Sequence, residues 1–125
     1  MDEILLVEPD LVLREQLAFV LQHSGFQVAG VTGGDEALAK IDIGSPDLIV
    51  MAERSHRVNG DELCIRIRQI SDVPIIILGQ DEQEVAGFNF LEMGADAYLT
   101  SPLNLRELLA RIRSLLRRTK ASQGI

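Results

Sequence analysis

The chain has no tryptophan, one tyrosine, four phenylalanines and one cysteine among its 125 residues. A lone Cys64 excludes an internal disulfide and a cysteine-built zinc site, agrees with a reducing compartment, and reads as a small apolar residue on a helix. Long apolar runs are missing too. The first one follows the acidic start Met1-Asp2-Glu3 and stops at Val7, far short of a signal peptide or a membrane span. The expectation is a soluble cytoplasmic protein with no membrane partner. Basic charge is scarce outside the C-terminal end. Six basic residues face one acid in residues 101–125, a net of +5 that leaves −12 for residues 1–100 of a chain at −7 overall. The body is therefore a poor nucleic-acid binder by itself. His23 and His56 stand alone without the spaced partners a metal site needs. Gly30, Gly33 and Gly34 lack the spacing of a phosphate-cradling loop.

What the chain does have is enough apolar residue, 46%, for one domain with a real core. Short apolar runs at Ile4–Val7, Val28–Val31, Leu48–Met51, Ile75–Leu78 and Ala97–Leu99 alternate with amphipathic segments. The first, third and fourth runs are apolar at both alternating positions, as strands covered on both faces are. Between them, Leu13, Leu17, Val20 and Leu21 recur at helical spacing after an Asp10 cap and stop at Gly25. Glu36–Ile43 stops at Gly44, and Leu63, Ile67 and Ile70 line a third helix. A fourth is expected from Glu82 to Met93, and a fifth opens with the capping pattern Asn104-Leu105-Arg106-Glu107. Five β-α units with right-handed crossovers predict an α/β, flavodoxin-like, doubly wound sheet of five parallel strands in the order 2-1-3-4-5. Residues 1–118 form the expected domain, and the polar stretch 119–125 is a tail or the start of a linker.

In such a sheet ligands gather at the carboxyl ends of the strands, here Glu8-Pro9-Asp10, Ala52-Glu53, Gly79-Gln80 and Thr100-Ser101-Pro102. Ile4-Leu5-Leu6-Val7-Glu8, Pro46-Asp47-Leu48-Ile49-Val50-Met51 with Gly60 downstream, Val73-Pro74-Ile75-Ile76-Ile77-Leu78, Gly94-Ala95-Asp96-Ala97-Tyr98-Leu99 and Pro102 followed by Leu105-Arg106-Glu107-Leu108 carry a more specific signal. The chain resembles, from residue 3 to about 118, the receiver domain of response regulators of the OmpR/PhoB winged-helix type.

The resemblance implies Mg²⁺ held by acids at the end of the first strand, a phosphorylated aspartate ending the third, and a hydroxyl and a lysine that read the phosphoryl group. Here Glu8 keeps the first acid, Pro9 replaces the second, Ala52 the nucleophile, Gly79 the hydroxyl and Ser101 the lysine. Each replacement removes a different step: a hard dication needs several oxygen ligands, and a carboxylate nucleophile has no substitute in a methyl group. Glu53 is expected to face away from the site unless the strand end is bulged, because one step along a strand turns a side chain to the other face. For Asp10, one place past Pro9, the role of helix cap outweighs that of metal ligand. The reading is a degenerate phosphorylation site with no cofactor and no metal, on a chain that is not an enzyme.

The same resemblance implies a two-fold dimer face on the fourth helix, fifth strand and fifth helix. Glu92, Asp96, Glu107, Arg111 and Arg113 fall there, while Gly87 replaces a usual basic residue and leaves Glu107 without its expected partner. Tyr98 takes the position of the switch aromatic and, with no hydroxyl at residue 79 to draw it inward, is expected as a half-buried residue in one rotamer. Phe88 and Phe90 lie about 200° apart on a helical wheel, so only one faces the sheet. The three-residue steps Val85, Phe88, Leu91 favour Phe88 inside and Phe90 on the outer face, beside the dimer surface. The function expected is a phosphorylation-independent receiver-like module for dimerisation or protein contacts, the regulatory part of a winged-helix regulator whose DNA contact belongs to a C-terminal domain outside this chain. The alternative is a stand-alone adaptor, or a small-ligand sensor using room among Glu8, Ala52, Gly79 and Ser101.

Overall fold

The strands that are apolar on both sides of the chain are the ones buried on both sides of the sheet. In the computed structural model, which describes residues 1–44, 46–80 and 84–123, β1 (Glu3–Val7), β2 (Gln27–Val31), β3 (Leu48–Ala52), β4 (Ile75–Gly79) and β5 (Ala97–Thr100) are all parallel and ordered β2-β1-β3-β4-β5. Five helices connect and close them: α1 (Leu11–His23), α2 (Gly34–Asp42), α3 (Gly60–Ile70), α4 (Glu84–Glu92) and α5 (Leu105–Gln123). Side-chain alternation splits the core in two. Leu5, Val7, Ile49, Met51, Ile75 and Ile77 meet α2, α3 and α4 on one face, while Ile4, Leu6, Leu48, Val50 and Ile76 meet α1 and α5 on the other.

The caps expected from sequence form. Asp10 Oδ1 accepts the Leu13 N–H at 3.1 Å, and Asn104 Oδ1 accepts the Glu107 N–H at 3.1 Å. The helix α5 runs on to Gln123, past the boundary expected at 118, with Thr119 Oγ1 donating to the Leu115 carbonyl and Lys120 paired to Asp2. The expected start of α4 at Glu82, and the side chain of Val85, lie outside the described residues.

Two core assignments change. On α1, Leu13 is exposed and Arg14 occupies the inward position, continuing the buried Leu17 and Leu21 stripe toward the site. On α4 the expected orientation is reversed: Phe90 is 3% exposed, whereas Phe88 and Leu91 are 62% and 48% exposed. Gly87 is the physical reason. It is buried against the Tyr98 ring, so the helix approaches β5 along Gly87 and Phe90, one turn apart, and the Phe88–Leu91 edge faces outward. Phe90 is therefore a core residue, and the exposed apolar edge of this helix is Phe88 with Leu91.

Candidate functional site

The carboxyl ends of β1, β3 and β4 and the segment after β5 bring Glu8, Pro9, Ala52, Gly79 and Ser101 to one edge of the sheet. Glu8 extends the β1–β2 pairing, its N–H donating to the Val31 carbonyl at 3.0 Å. Its side chain is the one polar group among the buried described residues, at 8% exposure. One carboxylate oxygen accepts the Asp10 N–H at 3.0 Å, and Arg14, whose stem lies along Gly30, donates from Nη1 to the Glu8 carbonyl at 2.8 Å. Burial pushes the Glu8 carboxyl above its ordinary range; the Asp10 N–H pulls it back, the Asp10 charge adds to the rise, and Arg14 opposes it. Arg14 is a site residue that sequence reading passed over. Its signal was a charged side chain in line with the helix's apolar stripe.

Because its pKa is raised in the folded state, ionised Glu8 weighs against folding. The stability it allows is fully present below the unfolded carboxyl pKa and is lost as pH rises through the higher folded value. Glu8→Gln, which keeps an oxygen for the Asp10 N–H, is therefore expected to melt higher than the parent at neutral pH, with the gap closing at pH about 4. Paired thermal melts across that range check it. A gap that stays constant, or a variant that melts lower at neutral pH, contradicts the assignment.

Ala52 ends β3 paired with Leu78 of β4 and offers only a methyl group. Glu53 continues the ladder, donating its N–H to the Leu78 carbonyl at 3.0 Å, while its own carbonyl accepts the Gly60 N–H at 2.9 Å. With the ladder unbroken, the side chain turns to the α4 face, and there Glu53 Oε1 accepts the Tyr98 hydroxyl at 2.5 Å. Tyr98 is half-buried, as expected, but its ring lies over Gly79 and takes up the room there. The room that Gly79 was expected to lend a small-ligand pocket among Glu8, Ala52, Gly79 and Ser101 is thereby taken by the ring. Ser101 is exposed and joined to Pro102 through a cis peptide bond.

This donor set does not fit Mg²⁺. A hard dication needs several oxygen ligands, and the strand-end positions supply Glu8, with one oxygen on a backbone N–H, beside a proline and an alanine. The Arg14 guanidinium next to Glu8 further lowers the appeal of that edge to a cation.

The residues on the expected dimer face, Glu92, Asp96, Glu107, Arg111 and Arg113, are all exposed. Asp96 is already engaged within the chain: Oδ2 accepts from Arg68 Nη2 at 3.0 Å and from the Ile75 N–H at 2.8 Å. Among the described residues, no helix is long and apolar enough to cross a membrane.

The response regulator receiver domain family matches residues 4–113. The sensory transduction protein RegX3 of Mycobacterium bovis is 38% identical over 118 residues, covering 94% of this chain and 52% of its own length. The transcriptional regulatory protein CpxR homolog of Haemophilus influenzae is 40% identical over 122 residues, covering 95% and 52%. The chain thus spans about half the length of these relatives. Among solved structures, a two-component response regulator from Clostridium difficile superposes with a TM-score of 0.88 at 29% identity, over 95% of this chain and 98% of that one. Fold, span and relatives agree, and the chain belongs to the response regulator receiver domain family.

Proposed function

We propose that this is a pseudo-receiver, a member of the family that works without phosphorylation and serves as a dimerisation and protein-contact module in a cytoplasmic transcription regulator. The observation that carries the reading is Ala52 at the end of β3, where a phosphoryl acceptor would have to stand, with Pro9, Gly79 and Ser101 unable to supply a second metal ligand, a hydroxyl at 79 or a cation. Residues 1–118 make up the body of the receiver-like unit, and the rest of α5 continues from it to Gln123. The regulatory role draws on relatives named as sensory transduction and transcriptional regulatory proteins that are about twice as long. Any DNA contact is accordingly assigned to a C-terminal domain beyond this chain, and no catalytic role is assigned.

The partner at the α4–β5–α5 face is a second copy of the chain. Phe88 and Leu91 supply exposed apolar area, and Glu92, Glu107, Arg111 and Arg113 supply both signs of charge for a self-complementary patch. The test joins intact-mass measurement after incubation with acetyl phosphate and Mg²⁺ to light scattering of the same samples. The expected result is an unmodified mass and a dimer of unchanged size. Arg111→Glu and high salt each shift that dimer toward monomer, since partly exposed ion pairs are screened. A phosphoryl adduct sinks the phosphorylation-independent reading, and a parent protein that stays monomeric at high concentration sinks the dimer.

A further inference from the structure

Tyr98 is the one tyrosine of the chain, and its ring lies where two glycines leave space. A Cβ on Gly79, the last residue of β4, would overlap the Tyr98 hydroxyl and Cζ, and one on Gly87 of α4 would stand 2.9 Å from Cδ1. Phe90, one turn beyond Gly87, stacks on the ring with centroids 5.7 Å apart and planes at 22°. The hydroxyl donates to Glu53 Oε1 at 2.5 Å, just past the end of β3. A half-buried tyrosine needs an apolar wall for its ring and an acceptor for its hydroxyl, and α4 and β3 supply one each. Swinging outward would surrender a hydrogen bond to a carboxylate, abandon the aromatic stack and leave a void between two residues that have no side chain to fill it.

We propose that Tyr98 is a permanent latch, held inward by Glu53, Phe90 and the paired gap at Gly79 and Gly87, which fixes α4 against β5 in one arrangement without any input from the Ala52 end of the sheet. Its geometry stands independently of the proposed function. Its consequence, a partner face of constant shape, rests on that reading. Glu53 is the acceptor for the Tyr98 hydroxyl, so the carboxylate adjacent to the lost nucleophile position serves conformation rather than chemistry.

A single tyrosine gives a single reporter. With tyrosine carrying ¹³C at Cζ, the parent protein is expected to give one narrow resonance, unmoved by acetyl phosphate and Mg²⁺. In Gly79→Ala the new methyl is fixed to the backbone and the ring is what yields, so the resonance moves toward its position in the urea-unfolded chain. Should that variant fail to fold, Glu53→Ala removes the acceptor without adding bulk. The resonance is then expected to shift, and acrylamide quenching of the tyrosine fluorescence to rise, with no tryptophan to obscure it. Two resonances or exchange broadening in the parent overturn the latch, as does a folded Gly79→Ala, or failing it Glu53→Ala, with the parent's resonance. A phosphoryl adduct with the resonance unmoved overturns the proposed function and leaves the latch standing; exchange broadening without an adduct does the reverse.

Discussion

Phe90→Ala is expected to cost the fold roughly 3 kcal/mol, the lower part of the range for emptying a buried phenylalanine site, while Phe88→Ala stays within about 0.5 kcal/mol of the parent. The two residues are neighbours but one on the same short helix, so the contrast isolates orientation from helix propensity. Phe90 is closed off among the α2–α3–α4 core residues and also stacks on Tyr98, so its loss removes apolar burial and an aromatic pair together. Phe88 faces outward at 62% exposure. Its loss is expected to register in self-association instead, because it belongs to the exposed edge assigned to the dimer. Denaturant unfolding of both variants beside light scattering separates the two effects. Equal losses of stability, or a larger loss at Phe88, would mean that α4 is rotated from the position described.

That helix also marks where sequence stopped being sufficient. The strands β1, β3 and β4 were legible because their runs Ile4–Val7, Leu48–Met51 and Ile75–Leu78 are apolar at every position, a pattern with few other solutions at that length, and the helix caps Asp10 and Asn104 were legible because capping is chemistry within three residues. Orientation on α4 was not. The three-residue steps from Val85 to Leu91 made a continuous stripe, and Gly87 read as a basic residue lost from the dimer face, when it is the contact point that lets the helix settle on Tyr98. Glu53 was rightly turned away from the Ala52 face by strand alternation, but its use by Tyr98 joins residues 45 apart in the chain, which no local pattern encodes. The same holds for Arg14 and Arg68. Each sits where a helix meets a strand end, a position defined by tertiary contact, and periodicity leaves a charged residue in line with or beside the stripe unassigned.

Arg68→Ala is expected to lose roughly 2–4 kcal/mol, because one guanidinium serves as the donor for four acceptors in two chain segments. Its Nε reaches the Gly94 carbonyl at 2.9 Å, Nη1 the Val73 carbonyl at 2.7 Å and the Ser71 carbonyl at 3.2 Å, and Nη2 the Asp96 carboxylate at 3.0 Å. These contacts tie the end of α3 to the entry of β4 and to the turn between α4 and β5. Gly94 makes the approach possible. Its φ of 109° favours glycine, and a Cβ there would lie 2.9 Å from the Arg68 stem. Arg68→Lys should recover only part of the loss, since one ammonium cannot reach in three directions with a planar fork's geometry. Asp96→Ala should cost less than Arg68→Ala, about 1–2 kcal/mol, for the Ile75 N–H it strands. The double variant should be less destabilised than the sum of the singles by about 1 kcal/mol, because each single removal leaves the other partner's charge behind. The cycle bears on assembly as well. Asp96 held by Arg68 and Ile75 is preorganised at the edge of β5, and an Arg from a second copy would have to share a carboxylate that is already occupied. If Asp96→Ala weakens the proposed dimer beyond its effect on the fold, the carboxylate serves both purposes. If it leaves the dimer intact while Arg111→Glu disrupts it, Asp96 is confined to the interior network, and the cross-dimer partner of Arg111 is to be sought at Glu92 or Glu107.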